Sequence, residues 1–385
     1  MRVLLVGPYP LDSAEVGGGV ETSFAYLVSG LAELPGLELH VVSFVRGLNH
    51  AVRRTVGAVQ VDHLPGSPRL GYLTRHARER KSLREVIRTR RPDVVHAQET
   101  GSSGYVCLRS AQGVPVLVTV HGIAREEVKY FSGVERLRAS IFSVAVQRYC
   151  IRHARYLLQS TRYPEAYFGS EIQGRIWEIG NPISDRFFSI DSTPEAGRIL
   201  FVGALIERKR LLDLVEAMPR ILATVPNAHV RVAGGGRDGR YVTKVRERLR
   251  SLGLDDRVRL LGSLSGEKLL GEFQSASVLV LPSAQETSPL AIGEGMAAGL
   301  PVVATRVGGV SDLVEDGVTG YVIEPGDVET LAARTADILR QPELGAAFGA
   351  AGRANAEGRF RAVAVAARVR AIYEEMQEVT TRTVS

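Results

Sequence analysis

The regular alternation of short β-branched runs with helical segments is the feature that most limits how this chain can fold. Runs such as Val3-Leu4-Leu5-Val6 are each followed by a longer segment with apolar residues at helical spacing. This order is typical of βα units, so we expect an α/β chain with two open sheets of about six strands each. The predicted strands lie near 3–6, 39–44, 93–96, 116–120, 156–159 and 175–179, and then near 199–202, 229–233, 258–261, 278–281, 301–304 and 321–323.

A turn-rich segment divides the 385 residues into two parts. Gly180-Asn181-Pro182-Ile183-Ser184 separates the two series of strands, so we expect one domain over 1–184 and another over 185–358. A last helix near 359–385 carries one apolar stripe that must pack against a surface. The stripe consists of Ala362, Val365, Val369, Ile372 and Met376.

Composition narrows the class of protein. Hydrophobic residues make up 45% and charged residues 23%, which is typical of globular proteins and excludes disordered and collagen-like chains. No run approaches the roughly 18 apolar residues of a membrane span, and the N-terminal run stops at Gly7-Pro8, so we expect a cytoplasmic protein. Cys107 and Cys150 cannot make a disulfide framework, and the histidine and cysteine spacings do not suggest a structural metal site.

The net charge of +6 is concentrated in residues 75–91, which hold eight Lys or Arg and two Glu. With Leu73, Ala77, Leu83 and Ile87 at near-helical spacing, this segment predicts a basic amphipathic helix. Such a helix either contacts phospholipid headgroups of a membrane or a phosphorylated acceptor, or is a solvated face. The rest of the chain is electrically balanced, which argues against binding to nucleic acid.

Two glycine-rich segments follow predicted strands. Gly17-Gly18-Gly19 opens a helical stretch whose N–H groups suit a phosphate, although three glycines are also an ordinary flexible loop. Residues 234–239 match GxGxxG, but the next strand ends in Leu261-Gly262 instead of an acidic residue. The fingerprint of nicotinamide dinucleotides therefore lacks its ribose ligand, and we expect a tight turn near a ligand.

The positions of Glu286 and Glu294 relative to a predicted strand and helix indicate that they can belong to one site. Leu281-Pro282 ends a predicted strand, and Ser288-Pro289 is expected to supply the N-cap and first residue of a helix. Glu286 then lies at the carboxyl end of a strand and Glu294 in the helix, so both can face one cleft. A diphosphate suits the helix N-terminus, and sugar hydroxyls suit the carboxylates. The alternative is one surface Glu and one structural Glu.

Cations and histidines also stand at predicted strand ends. Arg208-Lys209 lies between the strand ending at Gly203 and the helix starting at Leu211, where two cations suit a departing phosphate and otherwise oppose the helix dipole. His121 can donate a hydrogen bond to a sugar hydroxyl when neutral. For His96, a hydrogen-bonded and partly buried structural position is at least as good an interpretation.

Several of these motifs occur together in one family. The chain strongly resembles the retaining glycosyltransferases of family 4 over nearly its whole length, most specifically over 281–326. The resemblance rests on Gly18-Gly19-Val20-Glu21, Thr119-Val120-His121-Gly122, Lys209, and residues 282–286, 294–305, 307–309 and 316–320. It implies the GT-B fold, in which two Rossmann-like domains face each other across a cleft. The nucleotide-sugar donor would bind mostly to the second domain, the first domain would lie on the acceptor side, and the last helix would pack back on the first.

The resemblance also implies roles for individual residues. Glu286 would hold donor-sugar hydroxyls beside the reacting carbon and His121 would approach the donor sugar, so these are the expected catalytic residues. Glu294 would bind the donor ribose, and Lys209 the diphosphate. The expected donor-binding residues are Gly18, Gly19, Arg208, Lys209, Leu290 and Glu294. We expect no cofactor and no metal, and the chain contains no Asp-x-Asp sequence.

Ala204 is the main departure from the family, which usually has Arg one residue after the glycine corresponding to Gly203. Arg208 is expected to supply the missing charge from four residues further on; without it, donor binding or activity would suffer. Asp312, after Gly308-Gly309, replaces a more frequent Glu, which is a milder change.

We therefore expect a retaining hexosyltransferase that moves a sugar from a UDP- or GDP-sugar to a glycan or lipid-linked acceptor, in cell-envelope polysaccharide or glycolipid synthesis. The donor's own phosphate would take the acceptor proton. The alternatives are another GT-B sugar-nucleotide enzyme, such as an epimerase or a phosphorylase, and a catalytically impaired partner subunit. If residues 75–91 bind anionic lipid, the protein would sit peripherally at the inner leaflet of the membrane.

Overall fold

In the computed structural model, which describes residues 1–11, 18–67, 71–72, 74–236 and 239–384, the chain divides into two α/β units. Unit 1 comprises Met1–Pro182 and Ala362–Ser385, and unit 2 comprises Ile183–Arg361. The division thus falls inside the turn-rich segment 180–184 and again at Arg361, immediately before the last helix.

Unit 1 is built on a sheet of eight strands in the order β3-β4-β2-β1-β5-β6-β7-β8. Only the β3–β4 pair is antiparallel. The strands are β1 (Arg2–Val6), β2 (Glu38–Val45), β3 (Val52–Val56), β4 (Val59–Pro65), β5 (Val94–Ala97), β6 (Val116–Val120), β7 (Tyr156–Gln159) and β8 (Arg175–Glu178). The helices are α1 (Gly19–Ala32), α2 (Ala77–Arg90), α3 (Ser102–Ser110), α4 (Ala124–Glu127), α5 (Gly133–Arg138), α6 (Val144–His153) and α7 (Tyr163–Phe168).

The β3–β4 hairpin makes this sheet two strands wider than the sequence pattern predicts. β3 reads Val-Arg-Arg-Thr-Val and is largely exposed at the sheet edge, so it lacks the apolar run that identifies the buried strands. Val56 pairs with Val59 across a two-residue turn, in which Gly57 has φ 57°. A left-handed glycine at that place is typical of a tight hairpin turn.

Unit 2 is built on six parallel strands in the order β11-β10-β9-β12-β13-β14, and each lies close to a predicted strand. These are β9 (Arg198–Val202), β10 (His229–Ala233), β11 (Val258–Gly262), β12 (Val278–Leu281), β13 (Val302–Thr305) and β14 (Gly320–Ile323). The helices are α8 (Asp185–Phe188), α9 (Leu211–Thr224), α10 (Gly239–Ser251), α11 (Gly266–Ser275), α12 (Leu290–Ala297), α13 (Val328–Arg340) and α14 (Pro342–Phe360).

The last helix, α15 (Ala362–Val384), begins three residues later than the sequence pattern predicts, because the chain adopts an extended conformation at Arg361. Its apolar stripe is buried against the α1 face of the unit 1 sheet. The two helices approach closely at Gly30, where an added Cβ would lie 2.4 Å from the carbonyl oxygen of Ala362. The stripe therefore packs on unit 1. None of the helices in the described part of the chain is long and apolar enough to span a bilayer.

Candidate active site

Two loops of unit 2 meet where its strand order reverses. β9 lies between β10 and β12, so the chain winds away from β9 in both directions. In open α/β sheets, ligands bind outside the carboxyl ends of the strands at this point. The β9 loop (residues 203–210) carries Arg208 and Lys209, and the β12 loop (residues 282–289) carries Glu286.

The structure brings these three charged side chains together, although Lys209 and Glu286 are 77 residues apart. Lys209 Nζ donates to Glu286 Oε1 at 2.5 Å, and an Arg208 terminal nitrogen lies 3.5 Å from Glu286 Oε2. The same nitrogen of Arg208 donates to the carbonyl of Gln285 at 2.8 Å. Glu286 is 4% exposed, so this is a nearly buried carboxylate between two cations.

Glu286 remains ionised in this setting. Burial acts to raise its pKa, but the charges of Lys209 and Arg208 and a hydrogen bond from Ser283 outweigh burial, and the pKa is lowered below its ordinary value. The Ser283 hydroxyl donates to Glu286 Oε1 at 2.7 Å. Two cations and one carboxylate leave one positive charge in excess, so the cluster can receive an anion.

Backbone contacts hold the two loops in register. The Arg208 carbonyl accepts a hydrogen bond from the Ala284 amide at 2.8 Å. Arg210 has φ 50°, a left-handed conformation that costs a residue with a Cβ roughly 1–2 kcal/mol, and it turns the chain from Lys209 directly into α9. The cations are therefore set by the local backbone as well as by their side-chain contacts.

The glycines after β10 allow three neighbouring loops to pack at this end of the sheet. An added Cβ on Gly234 would lie 1.8 Å from the carbonyl oxygen of Gly203, and one on Gly235 would lie 2.5 Å from Ser263 Oγ. The Leu205 amide donates to the Gly235 carbonyl at 2.9 Å. Close packing thus explains Gly234 and Gly235 but not Gly239, where an added Cβ would have nothing within 4 Å; Arg237 and Asp238 of that segment lie outside the described residues.

Replacing Gly234 with alanine should destabilise unit 2, because the new methyl group meets backbone and cannot be accommodated by a side-chain rotation. We expect a loss of roughly 1–3 kcal/mol, measured as a lower midpoint of urea unfolding. Gly239→Ala is the matched control, since an added Cβ there has nothing within 4 Å. Equal midpoints for the two variants would contradict the packing argument.

Helix α12 follows the β12 loop and begins at Leu290, with Pro289 as its N-cap residue. The expected N-cap at Ser288 is wrong by one residue, because Pro289 has ψ 116° and stays extended. The helix start has no side-chain cap, so its first N–H groups, at Leu290 and beyond, are of the kind that can bind an anion. Glu294 lies within this helix and is 4% exposed.

The candidate residues of unit 1 lie on other loops. Gly18 and Gly19 are exposed at the start of α1, which has no side-chain cap; Gly17 lies outside the described residues. His121 follows β6, and its Nε2 is buried without a hydrogen-bond partner in the structure. Burial lowers the pKa of His121 to about 4, so the imidazole is neutral at pH 7 and can donate one hydrogen bond.

His96 is structural. Its Nδ1 and Tyr373 Oη are 2.7 Å apart, and its Nε2 and Thr119 Oγ1 are also 2.7 Å apart. Burial and then the nearby His121 lower the pKa of His96 to about 3. The histidine is thus a neutral, hydrogen-bonded core residue that ties α15 to the sheet, as the more conservative interpretation of the sequence proposed.

Two neighbours of Glu286 were not predicted. Ser283 positions the carboxylate, and Gln285, only 5% exposed, holds Arg208 through its carbonyl and through Oε1 at 3.1 Å. Their sequence signals are their place after a buried strand and their place within residues 282–286, one of the segments of the family resemblance. No cluster of three or more His, Cys, Asp or Glu side chains that could bind a metal occurs among the described residues.

Comparison with known proteins identifies the family of both halves. Residues 17–183 match the model of Glycosyltransferase Family 4, and residues 184–355 match the model of Glycosyl transferases group 1. A sulfoquinovosyl transferase of Arabidopsis thaliana is 27% identical over 299 residues, which are 71% of this chain but 55% of the plant protein. Glycogen synthase of Mycobacterium tuberculosis is 30% identical over 279 residues, 69% of this chain and 66% of that enzyme.

Solved structures show the same fold. Sucrose-phosphate synthase from Thermosynechococcus elongatus matches with a TM-score of 0.81 and 23% identity over 98% of this chain and 99% of that one. HepE from Anabaena, in complex with UDP and glucose, matches with a TM-score of 0.74 and 19% identity over 97% of this chain and 99% of that one. Since both halves match their family models and nearly the whole chain shares this fold, the protein belongs to the GT-B glycosyltransferases of family 4, with its second half in glycosyl transferases group 1.

Proposed function

We propose that the chain is a retaining hexosyltransferase that uses a nucleoside diphosphate sugar as donor and a hydroxyl compound as acceptor. The main support for this proposal is the Arg208–Lys209–Glu286 cluster at the point of unit 2 where the strand order reverses, which has one excess positive charge. Family membership supports a sugar-nucleotide donor. The cluster and the uncapped start of α12 supply the charge and N–H groups that a diphosphate needs.

In the proposed reaction, the bond between the anomeric carbon and the diphosphate oxygen breaks while a bond to the acceptor oxygen forms on the same face. A phosphate oxygen of the donor takes the acceptor proton. Lys209 and Arg208 would neutralise the departing diphosphate, and Glu286 would accept hydrogen bonds from the donor sugar. Glu294 would bind the ribose hydroxyls. Leu290, Gly18 and Gly19 would bind the diphosphate through their backbone, and neutral His121 would donate to the sugar.

Ala204 suggests the alternative of a catalytically impaired partner subunit, and the position of Arg208 argues against it. Its guanidinium lies 3.5 Å from the buried carboxylate of Glu286, so a second cation stands in the cluster although position 204 has none. This favours an active enzyme. An epimerase or a phosphorylase remains the second candidate, because either would also bind a sugar phosphate at such a cluster.

A donor panel tests the proposal. UDP- and GDP-sugars are incubated with hydroxyl acceptors, and products are analysed by mass spectrometry and by NMR of the new anomeric centre. We expect transfer with retained configuration, at an unchanged rate in EDTA, because we propose a metal-independent site. Sugar isomerisation without transfer would indicate an epimerase, and an inverted product or a requirement for Mg²⁺ or Mn²⁺ would contradict the mechanism.

The donor base and the acceptor class are further proposals. HepE was solved with UDP, and a GDP-mannose-dependent phosphatidylinositol monomannoside mannosyltransferase of Mycolicibacterium smegmatis is 30% identical over 162 residues, so both bases belong in the panel. The names of relatives include lipid and polysaccharide enzymes. We propose a glycan or lipid-linked acceptor in cell-envelope polysaccharide or glycolipid synthesis.

Helix α2 changes the membrane hypothesis. Its apolar face is largely packed inside the protein: Leu83 is fully buried and Ile87 packs against the same core, although Ala77 is exposed, and Leu73 lies outside the described residues. Glu79 is buried as well, and Glu85 pairs with Arg88 at 2.6 Å. Because this apolar side packs on the protein core, any membrane binding through α2 rests on the charge of its cations.

We propose that this charge holds the protein reversibly at the cytoplasmic leaflet. Wild-type protein should sediment with vesicles containing phosphatidylglycerol at low salt and be released at high salt, because screening weakens surface attraction. Replacing Arg80, Lys81, Arg84 and Arg88 with Gln should abolish sedimentation. Wild-type protein that stays in the supernatant at low salt would exclude the α2 surface as a membrane contact.

A further inference from the structure

Unit 1 has its own pocket, of about 430 Å³, at the carboxyl ends of its strands. Gly7 and Glu99, which line it, follow β1 and β5, the adjacent strands at which the strand order of this sheet reverses. Open α/β sheets bind ligands at this point, and the volume is in the range of small-molecule sites. None of the site residues predicted from the sequence lines this pocket.

The two carboxylates of the pocket already have partners. Glu79 is 6% exposed and accepts hydrogen bonds from the Ser67 amide at 2.7 Å and the Ser67 hydroxyl at 2.5 Å. Glu99 Oε1 accepts from the Ser103 amide at 3.1 Å and the Ser103 hydroxyl at 2.9 Å. Both carboxylates thus hold the walls of the pocket together.

Two guanidinium groups also line the pocket. Arg46 comes from the turn after β2, and Arg138 from the last residue of α5. Among the residues that the structure describes, neither has an acidic side chain as an ion-pair partner. Arg138 is only partly exposed and Arg46 is exposed, so two cations with no acidic partner among the described residues line the pocket. Guanidinium groups are suited to bidentate contacts with phosphate and carboxylate.

An aromatic pair forms a further part of the wall. Tyr72 and Phe142 both line the pocket and stack with their ring centroids 3.8 Å apart and their planes at 28°. A stacked aromatic surface beside polar groups suits the carbon face of a polyol or sugar ring. The pocket therefore offers an apolar surface and two cations that have no ion pair with the described acidic residues.

We propose that this pocket binds the acceptor and selects one that carries an oxyanion, a phosphate or a carboxylate, which contacts Arg46 and Arg138 while the rest of the acceptor lies along Tyr72 and Phe142. The proposal rests on the proposed function, because it names the class of acceptor. Two sources of the oxyanion are compatible with this chemistry: a soluble phosphorylated or acidic polyol, and a phospholipid headgroup.

Calorimetry with matched probes tests the oxyanion. The pairs are glycerol 3-phosphate and glycerol, inositol 1-phosphate and inositol, and glucuronate and glucose. At least one anionic probe should bind ten times more tightly than its neutral counterpart, and Arg46→Gln with Arg138→Gln should remove that preference. Arg54→Gln, on β3 and exposed, is the control for loss of one positive charge. Equal binding of both members of every pair, or unchanged binding to the double variant, would overturn the proposal.

The binding assay separates this proposal from the proposed function, since it needs no transfer. UDP and GDP are titrated in parallel, and Lys209→Ala should weaken nucleotide binding without affecting the anionic probe. Probe binding without nucleotide binding would sustain the pocket and contradict the donor site. Nucleotide binding without probe preference would sustain the donor site and overturn the pocket.

An exposed apolar ridge near Arg138 allows a test of whether the oxyanion belongs to a soluble acceptor or to a phospholipid. Val134, Leu137 and Ile141 are 83%, 64% and 53% exposed and lie on the helical segment that carries Arg138. If the oxyanion is a lipid headgroup, changing all three to Ser should abolish binding to phosphatidylcholine vesicles that contain phosphatidylinositol at high salt, where attraction through α2 is screened, while inositol 1-phosphate still binds. Vesicle binding that depends on Arg46 and Arg138 but not on the ridge would show that the protein binds the lipid headgroup without a contact from the ridge.

Discussion

Replacing Lys209 with alanine should lower turnover by roughly 10²- to 10³-fold, the scale expected when one donor to a developing negative charge is lost in a closed site. Lys209 Nζ is held 2.5 Å from Glu286 at the strand switch point, where it can receive the departing diphosphate. Affinity for UDP or GDP should fall roughly ten- to hundredfold, because a charged hydrogen bond is lost. Initial rates and calorimetry give the two values.

Lys244→Ala is a matched control. Lys244 forms a 2.9 Å ion pair with Glu207, the residue before Arg208, but it is 61% exposed and its pair contributes little. Turnover within twofold of wild type is expected for this variant. A Lys209→Ala enzyme with normal nucleotide affinity would show that the diphosphate binds elsewhere.

Arg208→Ala extends the test to the missing arginine at position 204. If Arg208 supplies that charge, the double change at 208 and 209 should damage transfer more than either single change, and Ala204→Arg should partly restore Arg208→Ala. The rescue is a stringent readout, because a purely structural role for Arg208 toward Gln285 would not be restored by a cation at position 204.

The buried parallel strands were predictable because both of their faces are apolar. β6, for example, consists of buried residues throughout, and its predicted and observed bounds agree. Edge strand β3 carries two exposed arginines and gives no such signal. Helix α2 was recognisable from its apolar and basic positions, but the sequence alone did not show that its apolar side packs on the protein core.

The unit 2 cluster was partly predictable for a topological reason. Residues that follow parallel strands collect at one edge of the sheet, so Arg208, Lys209 and Glu286 were placed near one ligand. The direct ion pair between Lys209 and Glu286 could not be predicted, because it depends on the backbone turn at Arg210 and on the hydrogen bond between the two loops. The unit 1 pocket had no signal at all, since its walls come from separate segments with no fixed spacing.

Glu286→Gln should lower turnover, as Lys209→Ala does, but should differ from it in nucleotide affinity. Turnover should fall, because the proposed contact to donor-sugar hydroxyls loses its charge. Affinity for bare UDP or GDP should stay the same or rise, because the carboxylate that competes with a diphosphate for Lys209 has gone. The comparison of kcat with nucleotide affinity therefore separates the two residues.

The matched control is Glu272→Gln, since Glu272 is also a buried carboxylate between two cations, at 2.6 Å from Arg198 and 2.8 Å from Arg231. Arg198 is the first residue of β9, so this pair lies at the amino end of that strand, away from the switch loops. Both variants should lower the urea midpoint, because removing one partner leaves buried charges uncompensated. Only Glu286→Gln should lower turnover.

The pH dependence supplies a further test of Glu286. The pKa of its carboxyl lies below the ordinary glutamate value, so it is ionised at neutral pH, and its pairing stabilises the fold above the unfolded-state pKa and is lost as pH falls through the folded one. Any acid limb that the wild-type kcat/KM profile shows at mildly acidic pH must then persist in Glu286→Gln. If that limb disappears in the variant, Glu286 titrates during the reaction and is an acid or base, instead of a permanently charged contact to the sugar.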